Sequence, residues 1–309
     1  MKRTILVTAA SAVAALTLAA CGGGSDPTKP AEPQAGAGPS TGGSSSAITV
    51  GSADFSESQV LGEIYAGALK AKGVAVQTRP NIGSREVYIK ALQDKSIDIV
   101  PEYTGSLLNY LKGTAPRQDP DSVYTAVKAA LPADLVALDK SAAEDKNSIV
   151  VTKETAAKWS LKSIGDLVPH QGELTVAAPP EFGTRAQGLA GLKTQYNVVP
   201  KDFRPLKGKA IVDALLGGQA QAANIFSTDP SITANGFVTL EDPKLLFGSD
   251  NVVPLVRKDK VNDTVTAALN AVSAKLDTPT LADLVKQVDV DKKDASAVAK
   301  DFLTKNSLG

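Results

Sequence analysis

From residue 47 onward, short β-branched runs alternate with stretches in which apolar residues recur every three or four positions. Residues 47–51, 74–78 and 97–100, and a shorter run near Leu135, carry the strand pattern. Val60, Leu61, Ile64, Tyr65, Ala68 and Leu69 fall on one face of a helix. Ser56 with Gln59 three positions on reads as a capping box at its start, and Gly73 as its stop. Gly83 and Ser84 open a second helix running through Leu92, and a third is predicted at 122–131. Strands that alternate with helices predict an α/β fold with a mainly parallel sheet.

The same pattern restarts in the second half. Residues 149–152 form a β-branched run after the polar stretch 144–147 and read as a crossing into a second lobe. Strands are predicted at 174–177, 203–206, 220–226 and 237–240, and a helix at 185–196. Residues 252–256 read as the return crossing, and 263–276, 280–288 and 295–305 as helices that pack on the first lobe. The division expected is 47–148 with 254–309 in lobe one and 149–253 in lobe two, a hinged clamshell with no internal repeat visible in the sequence.

Upstream of residue 47 the pattern is different. Lys2 and Arg3 precede an uncharged run from Thr4 to Ala20, which has the form of a secretion leader over residues 1–20. Ala19 and Ala20 lead straight into Cys21, the single cysteine, and this junction looks like the bacterial lipobox, in which the cysteine is acylated and becomes the new amino terminus. The run is shorter than the roughly 20 apolar residues of a spanning helix. Residues 21–46 are Gly, Ser, Pro, Thr and Ala with almost no large apolar side chain, a composition that cannot bury enough surface to fold and reads as a flexible tether. The expectation is a membrane-tethered protein on the extracytoplasmic side.

Composition removes several function classes. Lys plus Arg number 33 and Asp plus Glu 33, so the chain lacks the basic excess of a nucleic-acid surface. With Cys21 committed to lipid, no thiol remains for a disulfide, a metal cluster or a nucleophile, and one histidine, His170, rules out most histidine-based metal sites. No Gly-x-Ser-x-Gly elbow, phosphate loop or Gly-x-Gly-x-x-Gly is present. No cofactor or metal is expected, and a monomer is.

Several stretches together resemble a known family: Gly83-Ser84-Arg85-Glu86-Val87-Tyr88, the segment 97–108 with Glu102-Tyr103-Thr104-Gly105 at its centre, Ala178-Pro179-Pro180-Glu181-Phe182, the segment 188–193, and Phe226-Ser227-Thr228-Asp229. The pattern is similar to the substrate-binding proteins of osmoprotectant ABC importers (the glycine betaine, carnitine, choline and proline betaine group), and most of all to actinobacterial members. The resemblance implies a two-lobed periplasmic-binding-protein-like fold of type II with two hinge crossings. It also implies a small compatible solute held between the lobes and a membrane permease as partner. Two departures stand out: Phe226 where many relatives carry tyrosine, and Gln187 where an Arg-Pro-Asp-Gly-type stretch would place a carboxylate.

A quaternary ammonium head has no hydrogen-bond donor and is held best by aromatic faces, each contact worth about 0.5–2 kcal/mol. Phe55, Tyr88, Tyr103, Phe182 and Phe226 lie at or just beyond the carboxyl ends of predicted strands, the edge where open α/β sheets bind ligands. The resemblance singles out Tyr103 and Phe226 as cage positions, one per lobe. The alternative for each ring is an ordinary core role. For a zwitterion's carboxylate, Arg185 at the expected helix start is the best candidate, with Thr184 supplying a hydroxyl. Ser52, Ser84 and Thr104 stand at comparable turns in the first lobe. Arg85 reads as a surface ion pair with Glu86 or a neighbour, while Glu102 either favours a cationic solute or faces solvent. Two other functions remain open: the same fold binding a different polar or aromatic solute, or a surface hydrolase, which would need carboxylates converging in the cleft.

Overall fold

In the computed structural model, which describes residues 47–113 and 119–309, ten strands make two five-stranded sheets. Cys21, the leader and the tether lie outside the described residues. The first lobe begins with β1 (Ile48–Gly51), α1 (Ser56–Ala71), β2 (Val76–Arg79), α2 (Arg85–Gln93) and β3 (Ile99–Tyr103). It continues with α3 (Thr104–Lys112), α4 (Pro120–Ala130) and β4 (Leu135–Ala137). The second lobe runs β5 (Asn147–Val151), α5 (Lys153–Trp159), β6 (Thr175–Ala178), α6 (Leu189–Tyr196), β7 (Asp202–Pro205) and α7 (Lys209–Leu216). It closes with β8 (Ala222–Phe226), α8 (Pro230–Ala234) and β9 (Val238–Thr239). The chain then returns through β10 (Val252–Arg257) to the first sheet and ends in α9 (Asp263–Ser273), α10 (Thr278–Asp289) and α11 (Ala295–Lys305).

The sheet orders are β2-β1-β3-β10-β4 and β7-β6-β8-β5-β9. In each, three strands are parallel and a fourth, arriving from the opposite crossing, lies antiparallel to them: β10 against β3, and β5 against β8. The two lobes thus repeat one plan that their residues do not repeat. The sheets are mixed rather than mainly parallel.

Each sheet is packed on both faces. Val60, Leu61, Ile64, Tyr65, Ala68 and Leu69 of α1 are all buried, and with Leu269, Leu284 and Phe302 of the last three helices they form one apolar layer of the first lobe. Leu92, Leu107, Val123 and Val127 form the other. Ile164, Leu192 and Val198 cover one face of the second sheet, and Ile211 and Leu215 the other. Trp159 carries His170 stacked on its ring at 4.4 Å, which gives the lone histidine a packing role.

The crossings lie a few residues before their expected positions. The run at 149–152 belongs mostly to β5, and 252–256 is the interior of β10, because both are apolar enough to be sheet strands buried on both faces. The passages between lobes are 143–146 and 249–251. They run antiparallel and are joined by Val252 N–H to the Ala143 carbonyl at 3.0 Å and Asp145 N–H to the Asp250 carbonyl at 3.1 Å. The capping box at α1 does not form: Ser56 is already helical and donates its hydroxyl to Asp289, while Gln59 reaches Asn81.

Candidate functional site

Three rings meet where the lobes face one another. Tyr103 is the last residue of β3 and Phe226 the last of β8, so each sheet delivers one ring at its carboxyl edge. Phe55, in the turn between β1 and α1, lies between them: its centroid is 6.2 Å from that of Tyr103 and 5.6 Å from that of Phe226. The central ring is therefore Phe55, one of the residues for which a core role was the main alternative.

Glu57 sits beneath this cluster at 3% exposure. Its Oε1 accepts from the Tyr103 hydroxyl at 2.6 Å, and its Oε2 from the Thr228 hydroxyl of the other lobe, also at 2.6 Å. The 226–229 stretch now has a role for each residue. Phe226 supplies a ring, and Ser227 donates to Asp145 at 3.2 Å. Thr228 joins Glu57 to Asp145, its backbone N–H reaching Asp145 at 3.1 Å, and Asp229 caps α8. Burial pushes the Glu57 carboxyl from its ordinary 4.5 up to about 7, against the pull of bonds from Thr228 and Tyr103. Burial and then the Glu57 charge raise Asp145 well above the usual carboxylate range. Burial lifts Asp250, in the second passage, to about 6.

The remaining expectations divide. Arg185 is not at a helix start, since α6 begins four residues later at Leu189; its guanidinium reaches across the cleft and holds Glu86 through two bonds of 3.0 Å. Partial burial opposes ionisation of Glu86, but the bonds from Arg185 and Ser84 outweigh it and hold the carboxyl at about 2. Ser84 thus serves Glu86. Arg85, expected on the surface, is buried and grips Glu102 with two bonds of 2.7 and 2.9 Å. Glu102 neither faces solvent nor stands free for a cation, since Tyr88 also donates to it at 2.8 Å. Tyr88 and Phe182 are core residues: Tyr88, on the buried face of α2, packs in the layer with Leu92 and Leu107, and the Phe182 ring lies 6.5 Å from that of Phe247 inside the second lobe. Thr104 is fully buried and clamps the second passage, its hydroxyl accepting from Asn251 N–H at 3.0 Å. Ser52 donates to the Ala53 carbonyl, and Thr184 to that of Glu181.

The lobes touch at further points. Lys207 meets Asp54 at 2.5 Å, and Gln187 bridges Ser106 and Asn109 at 3.1 and 2.7 Å. Beside Gln187 a cavity of about 210 Å³ is lined by Gly105, Asn109, Thr194, Phe247 and Asp250 among others, but not by Tyr103 or Phe226.

Sequence reasoning missed Glu57, Asp145, Asp250 and Thr228. One signal was available: Glu57 stands at the i, i+3, i+4 and i+7 spacing from Val60, Leu61 and Ile64, a charge on the apolar face of α1.

Residues 46–305 match the model of the OpuAC family, the substrate binding domain of ABC-type glycine betaine transport systems. The chain is 29% identical over 275 residues to the glycine betaine-binding protein YehZ of Escherichia coli, across 84% of this chain and 90% of that one. It is 26% identical over 277 residues to the carnitine transport binding protein OpuCC of Listeria monocytogenes, across 87% and 90%. A crystal structure of a glycine betaine/carnitine/choline ABC transporter protein shares the fold, with a TM-score of 0.67 at 23% identity over 84% of this chain and 99% of that one. These matches, spanning both lobes, place the chain in the family of substrate-binding domains of ABC-type glycine betaine transport systems.

Proposed function

We propose that this chain receives a quaternary ammonium osmoprotectant of the glycine betaine, choline or carnitine class and delivers it to a membrane permease. The observation that carries the reading is the meeting of Phe55 and Tyr103 of one lobe with Phe226 of the other around a buried carboxylate. Ring faces attract a methylated ammonium through their quadrupoles, and the attraction grows as water is excluded. With Phe55 and Phe226 only 5.6 Å apart, the solute enters when the lobes part and gains all three rings when they close. A ligand that contacts both lobes favours closure for that reason.

Titration calorimetry with glycine betaine, choline and carnitine tests the reading. Heat with at least one of the three supports it, and heat with none, together with no thermal shift, overturns it. A hydrolase would use the converging carboxylates Glu57 and Asp145; a turnover by the purified chain that Glu57→Gln abolishes would favour that reading instead. Cys21 is proposed to carry a lipid that holds the receptor near its permease, raising the effective concentration there. Cys21→Ser is expected to move the protein from the membrane fraction to the soluble one.

A further inference from the structure

The geometry points to a site that selects a solute with a fixed positive charge and no carboxylate, a choline-type cation, over a zwitterion, the cation replacing a proton held by the carboxylate cluster. The inference rests on the quaternary ammonium reading above and narrows it.

Three buried carboxylates converge from three elements. Glu57 comes from α1, Asp145 from the first passage and Asp250 from the second, none more than 5% exposed. Thr228 ties Glu57 to Asp145, its hydroxyl donating to one at 2.6 Å and its N–H to the other at 3.1 Å; the Tyr103 hydroxyl holds the second Glu57 oxygen, and Asp145 N–H donates to the Asp250 carbonyl at 3.1 Å. Two carboxylates so placed repel unless one proton lies between them.

The cations nearby are occupied. Lys146, next to Asp145, is bound by Glu144, Arg85 by Glu102, Arg185 by Glu86 and Lys207 by Asp54. Among the described residues no lysine or arginine pairs with Glu57, Asp145 or Asp250, although the Arg85 charge is felt at Asp250. A zwitterion's carboxylate would meet a cluster of its own sign, or would have to take Arg185 from Glu86. A hydroxylated cation meets neither obstacle: its ammonium lies against the rings near Glu57, and its hydroxyl can donate to a carboxylate oxygen.

The exchange balances. The protonated pair, one carboxyl and one carboxylate, carries one negative charge. The cation binds, one O–H bond breaks, the proton leaves to solvent, and two carboxylates remain against the bound positive charge. Binding of the cation is therefore linked to pH and tightens as pH rises toward the range where Glu57 ionises.

Calorimetry of the mature protein with choline and with glycine betaine, at pH 5.5 and 7.5, tests this, using at each pH two buffers of different ionisation enthalpy. Choline is expected to bind tighter than betaine at both values, to release a proton at pH 5.5, and to gain roughly tenfold in affinity between them. Glu57→Gln should flatten the pH dependence of choline binding; the buffer comparison on the unmodified protein stands if that variant does not fold. Betaine binding as tightly as choline, or choline heats that do not depend on buffer, would overturn the inference and leave the receptor function standing. Heat with carnitine alone would overturn the inference and leave the receptor function standing, while heat with none of the three solutes would overturn both.

Discussion

Tyr103 belongs to the ring cluster between the lobes and to the core at once. It is 5% exposed and packs in the apolar layer under α1, so Tyr103→Ala should cost about 3 kcal/mol of stability as well as affinity. The cleaner probes are Tyr103→Phe, which removes only the hydroxyl held by Glu57, and Phe226→Ala, at a half-buried position. Phe226→Ala is expected to weaken the solute by about tenfold while leaving the melting temperature of the free protein within a few degrees, measured by calorimetry and thermal denaturation. At this scale the sequence placed Phe55, Tyr103 and Phe226 at the strand ends that meet, put Tyr88 and Phe182 there too although both pack in the core, and left the acids unread. Aromatic positions follow from strand ends, which periodicity marks. That Glu57, Asp145 and Asp250 are buried together depends on packing between segments up to 193 positions apart, and only the misplaced charge on α1 hinted at it. For Arg85 a partner was expected beside it in sequence, and for Arg185 a solute carboxylate, whereas each holds a carboxylate of this chain far along it. Arg85 pairs 17 positions away and Arg185 99 positions away.

Among the elements, α3 shows why local reading stops where it does. No helix was expected here, and the residue before its first turn, Tyr103, offers no side-chain cap. The helix nevertheless begins at Thr104 because Asp250, 144 positions beyond Ser106, accepts the Ser106 N–H at 2.9 Å and its hydroxyl at 2.5 Å, supplying from the second passage the cap that the local sequence lacks. Gly105 makes the approach possible, since a Cβ there would stand 2.3 Å from the Ser249 carbonyl oxygen. Gly105→Ala should destabilise the protein by about 1–3 kcal/mol and alter solute affinity through the shifted passage, which denaturant unfolding and calorimetry would register. Most other elements were legible, because a strand buried on both faces is a short apolar run and a helix over it repeats every three to four residues. Helices α5, α7 and α8 went unread. Each is eight residues or fewer, too short for that repeat to stand out.

For the whole molecule, the carboxylate cluster at the junction of the lobes makes stability depend on pH. Burial holds Glu57 at about 7 and Asp250 at about 6, above their ordinary values of 4.5 and 3.8, so the folded chain binds more protons than the unfolded one across that range. Stability from these groups is fully present in the acid and is lost as pH rises through about 7. Glu86, held at about 2 by Arg185, acts in the opposite sense and only below its ordinary value of 4.5. The melting temperature of the solute-free protein should therefore fall between pH 5 and 8, and Glu57→Gln should flatten that fall. Contacts across the cleft at Glu86–Arg185 and Asp54–Lys207 are partly exposed pairs and contribute little to stability, on the order of 1 kcal/mol or less each. Their loss in Arg185→Ala should appear as a more open molecule by solution scattering, with the melting temperature nearly unchanged.

A crystal structure with choline bound would bear most directly on the site. The ammonium should lie among Phe55, Tyr103 and Phe226, within about 6 Å of their ring centroids and next to Glu57. Choline seated instead in the cavity beside Asn109 and Gln187, with the three rings still against one another, would contradict that assignment.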